Sequence, residues 1–334
     1  MNESTGSNST LGDITPSNPM PIDTHSSGRS VPDPQLADRP GSALAALFTG
    51  DTVDLVTRLS LVLLLFSNII VSEDWYFQVA LRVPAVLGLI LPPLHRSRVL
   101  WGVIAAVMVT KTISHAVFQD NHLYLVTYWY MAVFIAICSK DAGRVLAINA
   151  RLMIGLAFAL AMVWKAALST EFLDSRYFQF TLLTDSRFAE ISSVVGNLEP
   201  TAAAQNRAAW QALFNPNDSG EAIELTRPVA LTNLAYAMTW YTVLIESLVA
   251  VAFLWPNVGR GVSRFRDYLL MIFGVSVYVI APVTTFGWTL MTMGLAQLEP
   301  NRGGVRRLYI AALAVMLLYE FVPLTQIVHA FTNS

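Results

Sequence analysis

The sequence predicts an all-α fold, a polytopic transmembrane helical bundle of about nine spans behind a disordered amino-terminal tail. Three observations carry that prediction. Hydrophobic residues make up 54% of the 334 and charged residues only 13%, with a mean hydropathy of +0.51; soluble domains carry about a quarter charged residues. From residue 53 onward the chain runs in apolar stretches close to the roughly 20 residues that a membrane-crossing helix needs. The short loops between those stretches alternate between basic and acidic.

Residues 1–50 are rich in Ser, Pro, Asp, Asn and Gly and hold no long apolar run. Such a segment buries too little surface to offset its ordering entropy, so it reads as a disordered tail. It also lacks a charged start followed by an apolar core, so it does not read as a secretory signal peptide. Candidate spans then follow at 53–72, 75–93, 99–118, 121–138, 146–168, 229–255, 268–298 and 305–328, and the polar stretch 169–228 lies between two of them.

The run 268–298, interrupted at Pro282, could cross once or twice. Short cytoplasmic loops carry the Lys/Arg excess. "HRSR" at 95–98, "KDAGR" at 140–144 and "RGVSRFR" at 260–266 are basic, whereas "SEDW" and "FQDN" carry acids alone. Only two crossings put "NRGGVRR" on the same side as the other basic loops. The expectation is therefore nine spans in a membrane, read as a bacterial plasma membrane, with the amino terminus cytoplasmic and the carboxyl terminus extracytoplasmic. The segment 169–228 has eight Asp/Glu against four Arg and is too long for a plain connector. Its stretches "EFLDSRYFQFTLL" and "AAAQNRAAWQALF" read as amphipathic helices forming an extracytoplasmic lid, a partner-docking surface or a packed cap.

Net charge of −2 gives no reason to expect a nucleic-acid partner. A single cysteine, Cys138, excludes an internal disulfide, and the five histidines show no zinc-type spacing, so no metal is predicted. Charges inside spans are costly and mark candidate sites. They are Arg82, Lys111, Lys165, Glu246 and Glu320, with His115 and His122 beside them. Lys165 stands fourteen residues past Arg151, about 21 Å along a helix, toward the outer face. Arg82, Lys111, His115, His122 and Glu320 also fall in outer halves, and Glu246 alone falls in an inner half. Lys111 and His115, four apart, share a helical face. Snorkelling to headgroups accounts for Arg82 and Lys111 as well as ligand contact does. Structural pairing with buried basic residues accounts equally for Glu246 and Glu320. "TYWY" at 127–130 reads as core or belt packing, and Lys165 stands alone in the apolar "LAFALAMVWKAAL".

These residues carry a resemblance. "DNHLYL" opening one helix, followed by a helix ending in "AMVWKAAL", resembles the HTTM domain, the membrane domain of vitamin K-dependent γ-carboxylases and their bacterial relatives. Asn121, His122, Tyr124 and Leu125 match the family's Asn-His-x-Tyr-Leu segment, and Lys165 falls on the position of its base. The resemblance implies a reduced quinone, vitamin K hydroquinone-like, as cofactor or substrate, and a carboxylase, epoxidase-like or quinol-modifying activity. Trp164 stands where the family has the first of two lysines, Phe172 replaces a downstream Trp, and "VYVIAPVTTFG" lacks a later histidine. No segment matches the large exoplasmic domain that binds the glutamate-containing peptide. Lipid-quinone chemistry is thus implied more strongly than protein carboxylation. Bacterial HTTM proteins of the sporulation-delaying-protein system imply a second role, a non-catalytic partner in maturing or exporting a secreted peptide.

The residues make the first role chemically reasonable. Apolar surroundings favour the neutral amine that Lys165 needs as a base. The helix start at Asn121 favours a neutral His122 able to hydrogen-bond a phenol. The expected site is an outer-leaflet cavity where Lys165 and His122 meet, with Asn121, Tyr124, Lys111, His115 and Arg82 lining it. A transporter would need deep polar groups toward the inner face as well, and these are scarce.

Overall fold

A computed structural model describes residues 50–66, 75–115, 121–213, 224–255, 260–280, 283–299 and 302–321. These residues are helical, with no strand among them. The helices are α1 (Thr52–Phe66), α2 (Trp75–Ile90), α3 (Arg98–Ser114), α4 (Asn121–Cys138), α5 (Ala142–Val163), α6 (Thr170–Leu173), α7 (Arg176–Thr184), α8 (Ala189–Val194), α9 (Pro200–Ala212), α10 (Val229–Leu254), α11 (Arg260–Ile280), α12 (Thr284–Ala296) and α13 (Gly303–Phe321). Side-chain caps start several of them, satisfying backbone N–H groups that have no partner within the helix. Asp51 accepts from the Val53 N–H, Ser97 from that of Leu100, and Asp141 from that of Arg144.

Short α12 is the axis of the bundle. Thr285 and every residue from Gly287 to Gln297 are buried, against α1, α4, α5, α11 and α13. Gly287 and Gly294 allow this close approach: a Cβ on either would lie 2.3 or 2.4 Å from the ring of Tyr278 or Tyr309. Aromatic donors tie the neighbours together at one point of α1. Trp129 Nε1 donates to Ser60 Oγ at 3.0 Å, the Tyr130 hydroxyl to the Ser60 carbonyl at 2.8 Å, and Trp288 Nε1 to the Leu59 carbonyl at 3.2 Å. "TYWY" is therefore core at Trp129 and Tyr130, while Tyr128 is exposed.

Two readings of the sequence change here. The basic stretch 260–266 is the first turns of α11 rather than a loop, and 303–307 likewise opens α13. The acid after the first stretch ties α11 to the end of α12 and to α13. Asp267 is fully buried and accepts from Gln297 Nε2 at 2.6 Å, Arg302 Nη1 at 2.7 Å and the Tyr309 hydroxyl at 3.1 Å. Second, the sequence predicts nine crossings, but among the described residues two helices are long and apolar enough to span a membrane, Ala142–Leu168 and Val229–Leu254. Four of the others are too short: α1 has 15 residues, α2 16, α3 17 and α12 13.

Large apolar side chains nevertheless stand on the outside of the bundle in helical register. On α5 these are Ile148, Leu152, Leu156, Leu160 and Val163, and on α2 Tyr76, Val79, Val83, Val86 and Ile90. The segment after α5 has a core of its own. Phe172, Phe178, Leu182, Phe188 and Leu198 bury themselves with Leu231, Ala235 and Met238 from the first half of α10. The stretch 171–183, read as one amphipathic helix, is split into α6 and α7 by Ser175, a buried residue in the left-handed conformation with φ 66°.

Candidate functional site

Helix α5 does not end in a regular turn. Trp164–Leu168 form a π-turn before the extended Ser169, and such turns re-aim the side chains they carry. Here the turn carries Lys165. Its Nζ donates to Glu246 Oε1 at 2.5 Å and lies 4.9 Å from the centre of the Phe172 ring. Both partners are largely out of water, the side chains being 15% and 7% exposed. The other carboxylate oxygen, Glu246 Oε2, is buried with no hydrogen-bond partner.

Both charges line a cavity of about 250 Å³. The cap supplies one wall with Phe172, Tyr177, Phe178, Arg187 and Phe188, and α10 supplies Met238, Tyr241, Thr242 and Ile245. Phe273, Ser276, Val277, Ile280 and Val283 close the side formed by α11 and the residues after it. The Tyr241 hydroxyl donates to Ser276 Oγ at 2.7 Å, and that hydroxyl donates to the Phe273 carbonyl at 2.8 Å. At the cap, Arg187 is held by Asp185 through its guanidinium and its backbone N–H. Burial alone would raise the Asp185 carboxyl, but these hydrogen bonds outweigh it and hold the group below its ordinary value. The site thus presents the Lys165 ammonium, the Asp185-paired Arg187 guanidinium, one half-satisfied carboxylate and mostly aromatic or aliphatic walls.

Of the residues the sequence singles out, Lys165 and Glu246 line this cavity, and His122, Lys111, His115, Arg82 and Tyr124 are not among its lining residues. His122 is half-buried at the start of α4, its ring 6.2 Å from that of Phe286. Phe286 in turn meets Phe273 of the cavity wall, again at 6.2 Å, so aromatic rings adjoin both. Lys111 is buried near the end of α3. His115 Nδ1 lies 3.1 Å from the Lys111 carbonyl, and its ring is 6.1 Å from that of Phe77 on α2. Arg82 is half-buried on α2 with its Nε enclosed and unbonded, and Tyr124 is half-buried on α4. The side chains of Asn121 and Glu320 lie outside the described residues. Among the described residues no group of three His, Cys, Asp or Glu is placed to hold a metal.

The carboxylate that meets Lys165 is the one the sequence places in the opposite half of its helix. Counting depth from helix ends assumes that the ends are level, and here they are not. Arg151 Nε donates to the Phe253 carbonyl at 3.0 Å, and a Cβ on Gly155 would lie 2.7 Å from Leu254. Helix α10 therefore ends alongside a point nine residues into α5, which carries Glu246 up toward Lys165. The sequence holds a signal for the pair: each is a lone charge in an otherwise uncharged helical stretch, and the two signs are opposite.

No protein-family model, curated protein or solved structure matches this chain.

Proposed function

We propose that the chain is an integral membrane protein of HTTM type, with about nine spans, and that the cavity at Lys165 receives the head of a quinol-like isoprenoid lipid near the outer leaflet. The observation that carries this reading is the largely enclosed Lys165–Glu246 pair facing an aromatic-walled cavity. A buried ion pair is weak evidence for stability, because desolvation offsets the attraction; beside a cavity it is better read as chemistry. Outward stripes of Ile, Leu and Val on α2 and α5 support the membrane reading, since exposed apolar surface on this scale needs lipid or a partner to cover it. In the ion pair the Glu246 carboxylate, whose Oε2 is unbonded, can take the proton of a quinol hydroxyl, leaving the Lys165 ammonium beside the anion so formed.

The test is the lipid that copurifies with the protein, identified by mass spectrometry for the parent and for Lys165→Ala. The expected result is an isoprenoid lipid retained by the parent and depleted at least about tenfold in the variant, which corresponds to about 1.4 kcal/mol of binding. Equal amounts of one lipid in both would sink the reading. A specific feature favours a second one, a non-catalytic membrane partner for a secreted peptide: Tyr177, Phe180, Val194 and Val195 stand exposed on the cap. In that role Lys165→Ala leaves activity intact, whereas substitutions on the cap abolish it.

A further inference from the structure

Toward the other end of α5 from Lys165, the bundle gathers more positive charge than it neutralises. Arg151 lies fourteen residues before Lys165, about 21 Å along the helix. Its Nε donates to the Phe253 carbonyl near the end of α10, a neutral acceptor. Arg266 on α11 is close enough for the two cations to repel. Arg266 and Arg302 both act through their charge on the Tyr309 hydroxyl, so the three arginines form one cluster. The carboxylate bonded within it is Asp267, and it is already engaged. Arg302 Nη1 takes one oxygen at 2.7 Å, while Gln297 Nε2 and the Tyr309 hydroxyl share the other.

Arg266 is left over. It is 9% exposed, and its Nε is enclosed with no acceptor among the described residues. Gln297 Oε1, also enclosed and unbonded, does not supply one. A buried donor without a partner is rare and calls for an explanation, and enclosing a cation costs more than enclosing a neutral group. Snorkelling does not explain it, because a snorkelling arginine carries its head out to water. An anion within reach of Arg151 and Arg266 would satisfy the second and relieve their mutual repulsion. Guanidinium groups match phosphate oxygens in shape as well as charge.

The location indicates the source of that anion. The nine-span reading puts "RGVSRFR" and "NRGGVRR" on the cytoplasmic side. Arg266 lies within two turns of the start of α11, and Arg302 immediately precedes α13. The cytoplasmic leaflet carries lipids of net negative charge, and basic pockets between helices on that side suit their phosphate heads. Leu152, Phe265 and Tyr268, next to or near the two arginines in the chain, are exposed. They offer apolar surface to the rest of a lipid, which a free ion in water would not use.

We infer that Arg151 and Arg266 form a phosphate-binding site at the inner-leaflet end of the bundle, occupied by the head of a phospholipid of net negative charge. The lipid occupant rests on the membrane reading; the arginine cluster does not. Free phosphate offers the same oxyanion, and the experiment separates the two sources.

The full chain, freed of lipid in dodecyl maltoside, is titrated with phosphatidylglycerol, phosphatidylcholine and inorganic phosphate. Binding is read from the midpoint of thermal unfolding, which rises as a ligand binds the folded state. Phosphatidylglycerol is expected to bind at least about tenfold more tightly than either of the others. In Arg266→Gln its preference over phosphatidylcholine is expected to fall below about threefold, while Arg144→Gln, an exposed arginine at the start of α5, keeps it. An Arg266→Gln protein that keeps the tenfold preference overturns the inference. Inorganic phosphate bound as tightly as phosphatidylglycerol, and lost in Arg266→Gln, supports the phosphate site and overturns its lipid occupant. Equal affinity for the two phospholipids overturns the lipid occupant, and if inorganic phosphate also fails to bind, the site falls with it.

Should Arg266→Gln not fold, the parent is crosslinked to a phosphatidylglycerol whose head carries a diazirine, and the labels are mapped by peptide mass spectrometry. Labels around Arg151 and Arg266 support the site, and labels confined to other helices overturn it. None of these outcomes bears on the cavity at Lys165, which is probed by a different lipid and a different variant. Release of the chain from membranes by carbonate is a separate failure, that of the membrane reading; it removes the lipid occupant and leaves inorganic phosphate to decide the site.

Discussion

Removing one member of the Lys165–Glu246 pair leaves the other charged and largely enclosed, the side chains being 15% and 7% exposed. That is the expensive case for an ion pair out of water, roughly 3–5 kcal/mol, whereas replacing both members by apolar groups of similar volume is often neutral or favourable. Lys165→Met and Glu246→Leu are each expected to lower the midpoint of thermal unfolding in detergent, and the double variant to recover most of the loss. Strictly additive losses would show that the two side chains do not interact. The cost is also the reason to look for a function. A chain that needed only stability at this position could hold two leucines there, and the cavity beside the pair would then have nothing polar to offer.

At the scale of the element, α12 shows how closely helices approach when the sequence permits. Gly294 faces the ring of Tyr309, and a Cβ there would stand 2.4 Å from Cε1. That ring cannot retreat easily, being fully buried with its hydroxyl bonded to Asp267. Gly294→Ala is expected to destabilise the protein by about 1–3 kcal/mol, the range for overpacked cores. Gly303→Ala, with nothing within 4 Å of the added carbon, serves as the control and is expected to leave the unfolding midpoint almost unchanged. Equal shifts for the two would contradict the close approach of α12 to α13. The same logic explains the end of α5: the π-turn turns Lys165 toward α10 at the point where Phe172 of the cap covers it.

For the whole molecule, the informative surface is the one turned outward. Leu152, Leu156 and Leu160 lie one turn apart on α5 and are 48%, 50% and 67% exposed. In water such a stripe would drive aggregation; in a bilayer it is solvated by acyl chains. Leu156→Arg is therefore expected to reduce the membrane-integrated fraction of the protein, because an arginine at the centre of a span costs about 2.5–3.5 kcal/mol during insertion. Carbonate extraction measures that fraction. Full integration with wild-type yield would mean that this face meets protein or water rather than lipid.

Several features were legible from residue types and spacing alone. Helices could be read from the apolar runs, and the break in 268–298 from Pro282, which lies between α11 and α12. Lys165 stood out as a lone charge among apolar neighbours. These are local properties, set by what a side chain costs in a given solvent and by what a proline does to a helix. The partner of Lys165 was not legible in the same way. It depends on how far α10 slides along α5, and that register is set by Gly155 admitting Phe253 and Leu254 and by Arg151 holding the Phe253 carbonyl. Such contacts join residues about a hundred positions apart. His122, matched to Lys165 by motif, instead has Phe286 beside it. The sequence by itself determined an all-helical, apolar chain with one amine conspicuous among apolar neighbours; only the tertiary structure decided which carboxylate faces that amine, because helix register follows from packing between distant segments rather than from the composition of either one.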